Sequence, residues 1–308
     1  MNRVTVSSRI FLVMSNTINY FNTMANLKGK AIDTSRLSNE DGIKYVRLHR
    51  DYLAHVLRYD HVYKYLKEKN RHLYSKVLDV GCGGNTPLAK VMFHNMMKHD
   101  EHGCYVGVDY GTIGNPVHPA HGNTTFKAKL YQRTDFLDWE SPFKEYDLIT
   151  CFEVLEHVEP KHAFNILKRM NALLCPNGVV MVSTPIYKPS LGAAGSHVNE
   201  MSYEAMEYMF SKAGFKITKV NGTFASQTDY VKTLPNQDRE FFDRLCTYYD
   251  PNVVSCLMAP LVNPKQCRNA IWRAVRNESG CSSNVVPFGA EHSSSNLWTK
   301  FVEELHAK

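Results

Sequence analysis

The stretch VLDVGCGGN at residues 77–85 decides the fold, because it reads as a buried strand that ends in a glycine-rich turn. A short run of Val and Leu bounded by glycine is typical of a parallel strand that is covered on both faces. Glycines in the turn allow positive φ and let a ligand approach the backbone closely. Thr86 and Pro87 then predict the N-cap and the first residue of a helix. The stretch therefore predicts a strand, turn and helix arranged to hold a ligand.

Later segments continue this alternation of strands and helices. CYVGVDYG at 104–111 is an apolar strand that ends at Asp109, thirty residues after Asp79. Further strands are predicted at 124–130, at the start of EYDLITCFEVLEHV (145–158), and in LLCPNGVVMVSTP (173–185). A carboxylate at the tip of the second strand can accept hydrogen bonds from both hydroxyls of a ribose.

In this order and spacing, the segments at about residues 70–220 resemble the class I S-adenosylmethionine-dependent methyltransferases. The resemblance implies an α/β fold, namely a Rossmann-like three-layer sandwich with a mostly parallel seven-stranded sheet and helices on both faces, with helical N- and C-terminal additions. An NAD-binding domain is disfavoured, because the third glycine of GxGxxG is missing.

The resemblance also assigns residues to the cofactor S-adenosyl-L-methionine. Its methionine moiety would lie beside Asp79, Gly81 and Gly83, and its ribose hydroxyls would bind Asp109, with Tyr110 also in the site. The adenine amino group would meet Asp135, with Phe136 beside the ring. In the structural alternative, Asp79 caps a turn, Asp109 is solvated and Asp135 simply precedes a helix.

A group of acidic and histidine side chains follows the fourth and fifth strands. Glu153, Glu156 and His157 come after the fourth strand, and His197 lies in the loop after the fifth, which borders the same cleft in this topology. Two carboxylates and two imidazoles suit a divalent Mg, Mn or Zn ion. The E-x-x-E-H segment resembles the metal-dependent O-methyltransferases of the ubiquinone pathway and of small-RNA 3′ ends. The GSHVNE loop at 195–200 is similar to the G-x-H loop of the former.

Glu156 and His157 are the predicted catalytic residues. A metal held there would lower the pKa of a substrate hydroxyl, so that its oxygen could attack the sulfonium methyl. Without a metal, His157 could act as a general base, since the reference pKa of histidine is about 6.5. The alternative is that EVLEHV binds no metal, with the histidine packed beneath the cofactor and the glutamate bonded to backbone.

Other methyl-transfer chemistries lack their motifs. No Asn/Asp-Pro-Pro-Tyr/Phe segment and no Pro-Cys nucleophile follow the fourth strand, which argues against methylation of DNA bases. We therefore expect an O-methyltransferase, or an N-methyltransferase, acting on a small molecule. A nucleic-acid substrate such as an RNA 2′-hydroxyl is the second hypothesis, because residues 1–76 carry fourteen Lys and Arg against six Asp and Glu. A non-catalytic cofactor-binding module is the third.

The remaining sequence predicts domain organisation and location. Residues 1–40 are predicted to form a flexible tail, 41–230 the methyltransferase domain with a leading helix at 43–70, and 231–308 a helical extension. In that extension, 236–250 and 263–277 are predicted to be helical, and 278–296 a surface loop before a terminal helix. The scattered cysteines, without a CxxC pair, predict a reduced cytoplasmic protein. The apolar run IFLVM is too short to span a membrane, and the oligomeric state is left open.

Overall fold

The structure is a computed structural model that describes residues 50–68, 75–96, 104–114, 127–225, 231, 234–259, 263–278 and 286–307. The helices are α1 (Arg50–Lys67), α2 (Pro87–Met96), α3 (Pro160–Leu173), α4 (Tyr203–Lys212), α5 (Asn236–Cys246), α6 (Pro251–Met258) and α7 (Trp298–His306). The strands are β1 (Lys76–Val80), β2 (Cys104–Val108), β3 (Lys127–Tyr131), β4 (Tyr146–Phe152), β5 (Leu174–Pro185), β6 (Phe215–Ala225) and β7 (Cys267–Arg276).

The strands form a seven-stranded sheet in the order β3-β2-β1-β4-β5-β7-β6. The pairs β1–β2, β2–β3, β1–β4 and β4–β5 are all parallel. The chain runs outward from β1 through β2 to β3 and then crosses back to β4, so the strand order reverses between β1 and β4. In open α/β sheets, ligands bind at the carboxyl ends of the strands on either side of such a reversal.

The chain divides into two compact units, residues 1–61 with 221–269 and residues 62–220 with 270–308. The second unit contains the larger hydrophobic core, to which β1, β4, β5, α3 and α4 all contribute buried side chains. A smaller core in the first unit includes Phe242, Val254 and Met258. Within the described residues, no helix combines the length and the apolar character needed to cross a membrane.

The predicted fold class is confirmed, since the sheet has seven strands, is parallel at each of the pairs named above and alternates with helices. The α4 helix is N-capped by Ser202, whose hydroxyl accepts the Ala205 N–H at 3.1 Å. The leading helix is confirmed over Arg50–Lys67, and its predicted ends lie outside the described residues. The same is true of the predicted tail at 1–40. The described cysteines are free thiols.

The helix predicted at 263–277 is wrong, because Cys267–Arg276 forms β7 between β5 and β6. Its arginines at 268, 273 and 276 therefore do not form a helix face. In the strand, Arg276 instead donates to the Asn171 carbonyl at 2.7 Å, and the Arg273 guanidinium lies 4.5 Å from the Tyr65 ring centroid. An interior strand is covered on both faces, so its buried residues run nearly continuously and show no period of two.

The C-terminal extension is therefore not wholly helical. Its predicted surface loop is also wrong in part, since Ser293 and Ser295 are buried at 3% and 7% exposure. The terminal helix is confirmed as α7. The domain boundary placed between 230 and 231 stays a prediction.

We predict that Trp272→Ala weakens the second unit strongly. Trp272 on β7 is fully buried, with its ring 4.6 Å from Tyr203 and 6.0 Å from Phe210. Loss of a buried tryptophan costs about 3–5 kcal/mol of unfolding free energy, which urea denaturation would measure. Tyr248→Ala is the control, because Tyr248 is 76% exposed. Similar losses in both variants would contradict the interior placement of β7.

Candidate active site

The glycine turn after β1 and the carboxylate after β2 lie against each other. The N–H groups of Gly81 and Cys82 donate to the Val108 carbonyl at 2.8 and 3.2 Å. The Gly83 N–H donates to Asp109 Oδ2 at 2.7 Å, and the Gly111 N–H donates to Oδ1 at 2.7 Å. The glycine turn and Asp109, which predicted a cofactor site from the sequence, therefore lie in direct contact.

Two glycines of this turn are required for different reasons. Gly81 has φ +71°, and a Cβ there would lie 2.3 Å from Cγ2 of Val154 in the segment after β4. Gly83 has φ +73°, and the nearest atom to a Cβ there would be Pro87 Cδ at 3.9 Å. Gly81 therefore permits close packing against the segment after β4, whereas glycine is required at 83 by its positive φ, since a Cβ there would make only an ordinary van der Waals contact.

The segment after β4 carries the acidic and histidine cluster. Glu153 leaves the strand with φ +56°, a strained value for a residue with a side chain, while its N–H donates to the Ser183 carbonyl at 2.9 Å. A 3-10 turn at Leu155–His157 follows, closed by the His157 N–H donating to the Val154 carbonyl at 3.0 Å. The strained backbone of Glu153 therefore lies where the chain turns sharply out of the sheet.

Glu156, His157 and His197 each place one ligand atom within 4.8 Å of the others. The two imidazole rings lie edge to face, with centroids 4.7 Å apart and an interplanar angle of 86°. Glu156 is fully buried, whereas His157 is exposed. We call these three residues the E-H-H cluster. Its donors are one carboxylate and two imidazoles, a set that can hold a divalent ion.

The fourth predicted metal ligand, Glu153, is not a member of the E-H-H cluster. Its Oε1 accepts a hydrogen bond from the Ser183 hydroxyl at 2.8 Å. Of the four predicted ligands, the structure therefore groups three, and Glu153 lies three residues before Glu156 in sequence. Coordination by Glu153 stays a prediction.

Main-chain hydrogen bonds bring His197 to the cluster. The Glu156 carbonyl accepts the N–H groups of Val198 at 2.9 Å and Asn199 at 3.0 Å. The Asn199 side chain donates in turn to the Leu155 carbonyl at 3.3 Å. The loop after β5 is thus fixed to the 3-10 turn after β4 by both backbone and side chain.

The orientation of His157 follows from one contact. Its Nδ1 lies 3.2 Å from the Ser196 carbonyl oxygen, which can only accept. Nδ1 therefore carries the proton in the neutral ring, and Nε2 keeps the lone pair that could bind a metal or accept a proton.

Comparison with known proteins identifies the family. A family model described as a methyltransferase domain matches residues 48–220, which is more than half of the chain. The chain belongs to this methyltransferase-domain family. The resemblance stated from the sequence is thereby confirmed.

Two relatives of this methyltransferase domain are ubiquinone biosynthesis O-methyltransferases. That of Actinobacillus pleuropneumoniae serotype 7 (strain AP76) is 32% identical over 139 residues, covering 43% of this chain and 54% of the relative. That of Histophilus somni (strain 2336) is 33% identical over 114 residues, covering 35% and 44%. The chain spans about half the length of these curated relatives. Among solved structures, the small RNA methyltransferase HEN1 matches 73% of this chain and 26% of its own, at 19% identity and a TM-score of 0.48.

Asp135 and Phe136, which are predicted to contact the adenine of the cofactor, make contacts with other residues of the methyltransferase domain. Asp135 Oδ1 accepts the Leu137 N–H at 2.8 Å, so Asp135 shapes the turn after β3. Phe136 is buried in the hydrophobic core, with its ring 6.1 Å from that of Trp139 and 5.4 Å from the Arg169 guanidinium. Tyr110, at the tip of β2, is 81% exposed. Contact of these residues with a cofactor stays a prediction.

Asp79 joins three strands of the methyltransferase domain. Its Oδ2 accepts from the Tyr105 hydroxyl on β2 and its Oδ1 from the Thr150 hydroxyl on β4, both at 2.7 Å. Burial raises the pKa of this carboxyl to about 6, although the two hydrogen bonds act to lower it. Asp79 therefore holds together, just before the glycine turn, the strands that carry the site.

Glu200 was missed by the sequence analysis. It is fully buried, and its Oε1 lies 2.7 Å from Nδ1 of His197. The available signal was the spacing His-x-x-Glu within the loop already quoted at 195–200. The Glu200 N–H donates to the Ser294 hydroxyl at 2.8 Å. This contact was also missed, because nothing local in sequence connects residues almost one hundred positions apart.

We predict a specific pH dependence of stability from Asp79. Its pKa is about 6 in the folded chain against 3.8 for an unperturbed carboxyl, so the folded state retains the proton over a wider range of pH. The wild type should therefore lose roughly 3 kcal/mol of unfolding free energy relative to Asp79→Asn as pH rises from about 4 to above 6. Urea denaturation across this range measures the difference. A difference that stays constant with pH would contradict the assignment.

Proposed function

We propose that the chain is an S-adenosylmethionine-dependent methyltransferase that transfers a methyl group to an oxygen of a small molecule, with a divalent metal ion held by the E-H-H cluster. The observation that carries the proposal is the contact between the glycine turn and the segment that bears the cluster, at Gly81 and Val154. A methyl donor and a metal-bound acceptor must meet within about 3–3.5 Å before reaction, and this contact makes such a meeting feasible.

The residues of the glycine turn fit the proposed cofactor. Gly83 has no Cβ, so a ligand can approach its backbone more closely than the backbone of a residue with a side chain. Each oxygen of Asp109 accepts one backbone N–H in the structure, and each carboxylate oxygen can accept a second hydrogen bond. Asp109 can therefore bind ribose hydroxyls while it continues to hold the turn.

The E-H-H cluster fits a divalent ion. Ligand atoms bound to one ion at about 2.1 Å lie no more than about 4.2 Å apart, so a spread of 4.8 Å requires only small side-chain adjustments. Three protein ligands leave coordination positions for a substrate, as in catalytic rather than structural sites. The mixed oxygen and nitrogen donors suit Mg, Mn or Zn.

The cluster residues would contribute as follows. A bound ion would supply Lewis acidity that lowers the pKa of a substrate hydroxyl. Glu156 would provide buried negative charge beside that position. With an ion bound, Nε2 of His157 would be a ligand, and the proton lost from the substrate hydroxyl could pass directly to solvent at this exposed side of the cluster. Should no metal bind, the same nitrogen supplies a general base, which was the alternative from sequence.

A small-molecule substrate is supported by the relatives, which are named as O-methyltransferases of ubiquinone biosynthesis. Methylation of a nitrogen instead of an oxygen is a closely related reaction, and it stays a prediction. The RNA alternative depended on the basic segment at 1–76, most of which lies outside the described residues, so it stays a prediction. A cytoplasmic location and the non-catalytic alternative stay predictions as well.

We predict that Asp109→Ala weakens binding of S-adenosylmethionine by at least about tenfold, because hydrogen bonds to a charged group contribute about 1.5–3 kcal/mol. Isothermal titration calorimetry measures the affinity. Asp138→Ala is the control, since Asp138 is exposed in the turn that Asp135 shapes. Equal affinity in Asp109→Ala and the wild type would remove Asp109 from the cofactor site.

We also predict that methyl transfer depends on a metal. The protein would be incubated with labelled S-adenosylmethionine and a cell extract. The mixture is then separated into small-molecule, RNA, DNA and protein fractions. Label should enter the small-molecule fraction, fall at least tenfold after exhaustive chelation, and return with added Mg, Mn or Zn.

The variant His157→Ala should lose this activity while its affinity for S-adenosylmethionine is unchanged, whereas His306→Ala, at an exposed position on α7, should retain both. Label in the RNA fraction would favour the second hypothesis. Activity that resists chelation would leave His157 as a base without a metal, and cofactor binding without any turnover would favour the binding module.

A further inference from the structure

The loop that carries His197 is closed around a buried carboxylate. Glu200 is fully buried, and its Oε1 lies 2.7 Å from His197 Nδ1 and 3.0 Å from the Ala194 backbone nitrogen. The His197 N–H donates to the Ala194 carbonyl at 2.9 Å, which completes the loop. One carboxylate oxygen thus serves both the backbone and the imidazole.

This contact determines which nitrogen of His197 bears the proton. Oε1 accepts the Ala194 N–H, and a carboxylate oxygen in this role also accepts from Nδ1. The Nε2 atom therefore keeps its lone pair, which is the form of histidine that binds a metal. Histidines that ligate metals commonly donate their other ring N–H to a carboxylate, which fixes the ring and strengthens the ligand.

Glu200 is itself held by a distant segment of the chain. Its backbone N–H donates to the Ser294 hydroxyl at 2.8 Å, and its carbonyl accepts the Ser294 N–H at 2.9 Å. Met201 and Ser293 form an antiparallel bridge, and the Ser293 hydroxyl donates to the Asn199 side chain at 2.9 Å. These contacts restrict the loop on both sides of Glu200.

We propose that Glu200 is a positioning residue for His197, and that Ser293 and Ser294 hold it in place. This inference rests on the proposed metal site. It extends that site by giving a positioning role to residues of the C-terminal segment, which no sequence motif indicated. Glu200 acts through His197, without contact to the substrate.

The first test measures the binding of Mn²⁺ alone, with free Mn²⁺ counted by electron paramagnetic resonance. Glu200→Gln keeps the size of the side chain and removes its charge, so it should weaken binding about tenfold or more. Ser294→Ala leaves the carboxylate and removes the hydroxyl that accepts the Glu200 N–H, so it should weaken binding roughly 2- to 10-fold. Glu303→Gln is the matched control, because Glu303 is exposed on α7, and it should bind as the wild type does.

The second test requires no metal. Long-range ¹H–¹⁵N spectra of the imidazoles in the metal-free protein should show His197 protonated at Nδ1 in the wild type, with this preference reduced in Glu200→Gln. A purely structural role for Glu200 would lower thermal stability without changing the tautomer of a folded chain. Should Glu200→Gln fail to fold, Ser294→Ala carries both measurements.

The outcomes separate this inference from the proposed function. Wild-type protein that binds no Mn²⁺ would overturn the metal site and this inference with it. Wild-type protein that binds Mn²⁺ as tightly as folded Glu200→Gln, with an unchanged His197 tautomer, would overturn the positioning role alone.

Discussion

The backbone carbonyl of Glu156 accepts two N–H groups, those of Val198 and Asn199, and the candidate site depends on this pair of bonds. His157 follows Glu156 directly and His197 precedes Val198 directly, so the same bonds that satisfy buried backbone groups bring two imidazoles together. Separating the two histidines would break these bonds. That is unfavourable, because unsatisfied backbone groups in the interior are costly. The hydrogen bonds of the chain itself therefore hold the E-H-H cluster together, which reduces the ordering cost of binding a ligand.

The parts of the fold that could be predicted are those in which local chemistry and tertiary environment agree. The glycine turn at 81–84 requires positive φ, so the sequence itself marks the end of β1. The residues of β7 mislead for the opposite reason, since a segment that looks helical in sequence forms a strand inside the sheet. Arg276 is stabilised there by the carbonyls of Asn171 and Leu174, both far away in sequence, which accept its hydrogen bonds. Sequence periodicity reports average burial, and it carries no information about such a distant acceptor.

The same distinction applies to the site. Asp109 could be predicted because it ends a strand next to the glycine turn in a parallel sheet, and the structure places its carboxylate on Gly83. The ring of Phe136 packs in the core against Trp139, an aromatic contact that periodicity does not reveal, and its contact with an adenine stays a prediction. Glu200 could have been noticed from its spacing to His197. Its anchoring by Ser294 could not, because that contact exists only after the C-terminal segment has folded back.

Two cysteines near the site bear on its chemistry. Cys82 lies in the glycine turn and Cys151 near the end of β4, and both are buried. Burial raises the pKa of each thiol well above its ordinary value, and the neighbouring acidic groups, Asp79 for Cys82 and Glu156 for Cys151, raise it further. Both thiols therefore stay protonated, and the thiol is a far weaker nucleophile than the thiolate. A sulfonium methyl is an electrophile, and a buried, protonated thiol does not compete with the acceptor for it. The burial that excludes this competition is the same burial that raises the pKa of Asp79, so the low-polarity interior around β1 and β4 protects the proposed reaction as well as stabilising the sheet.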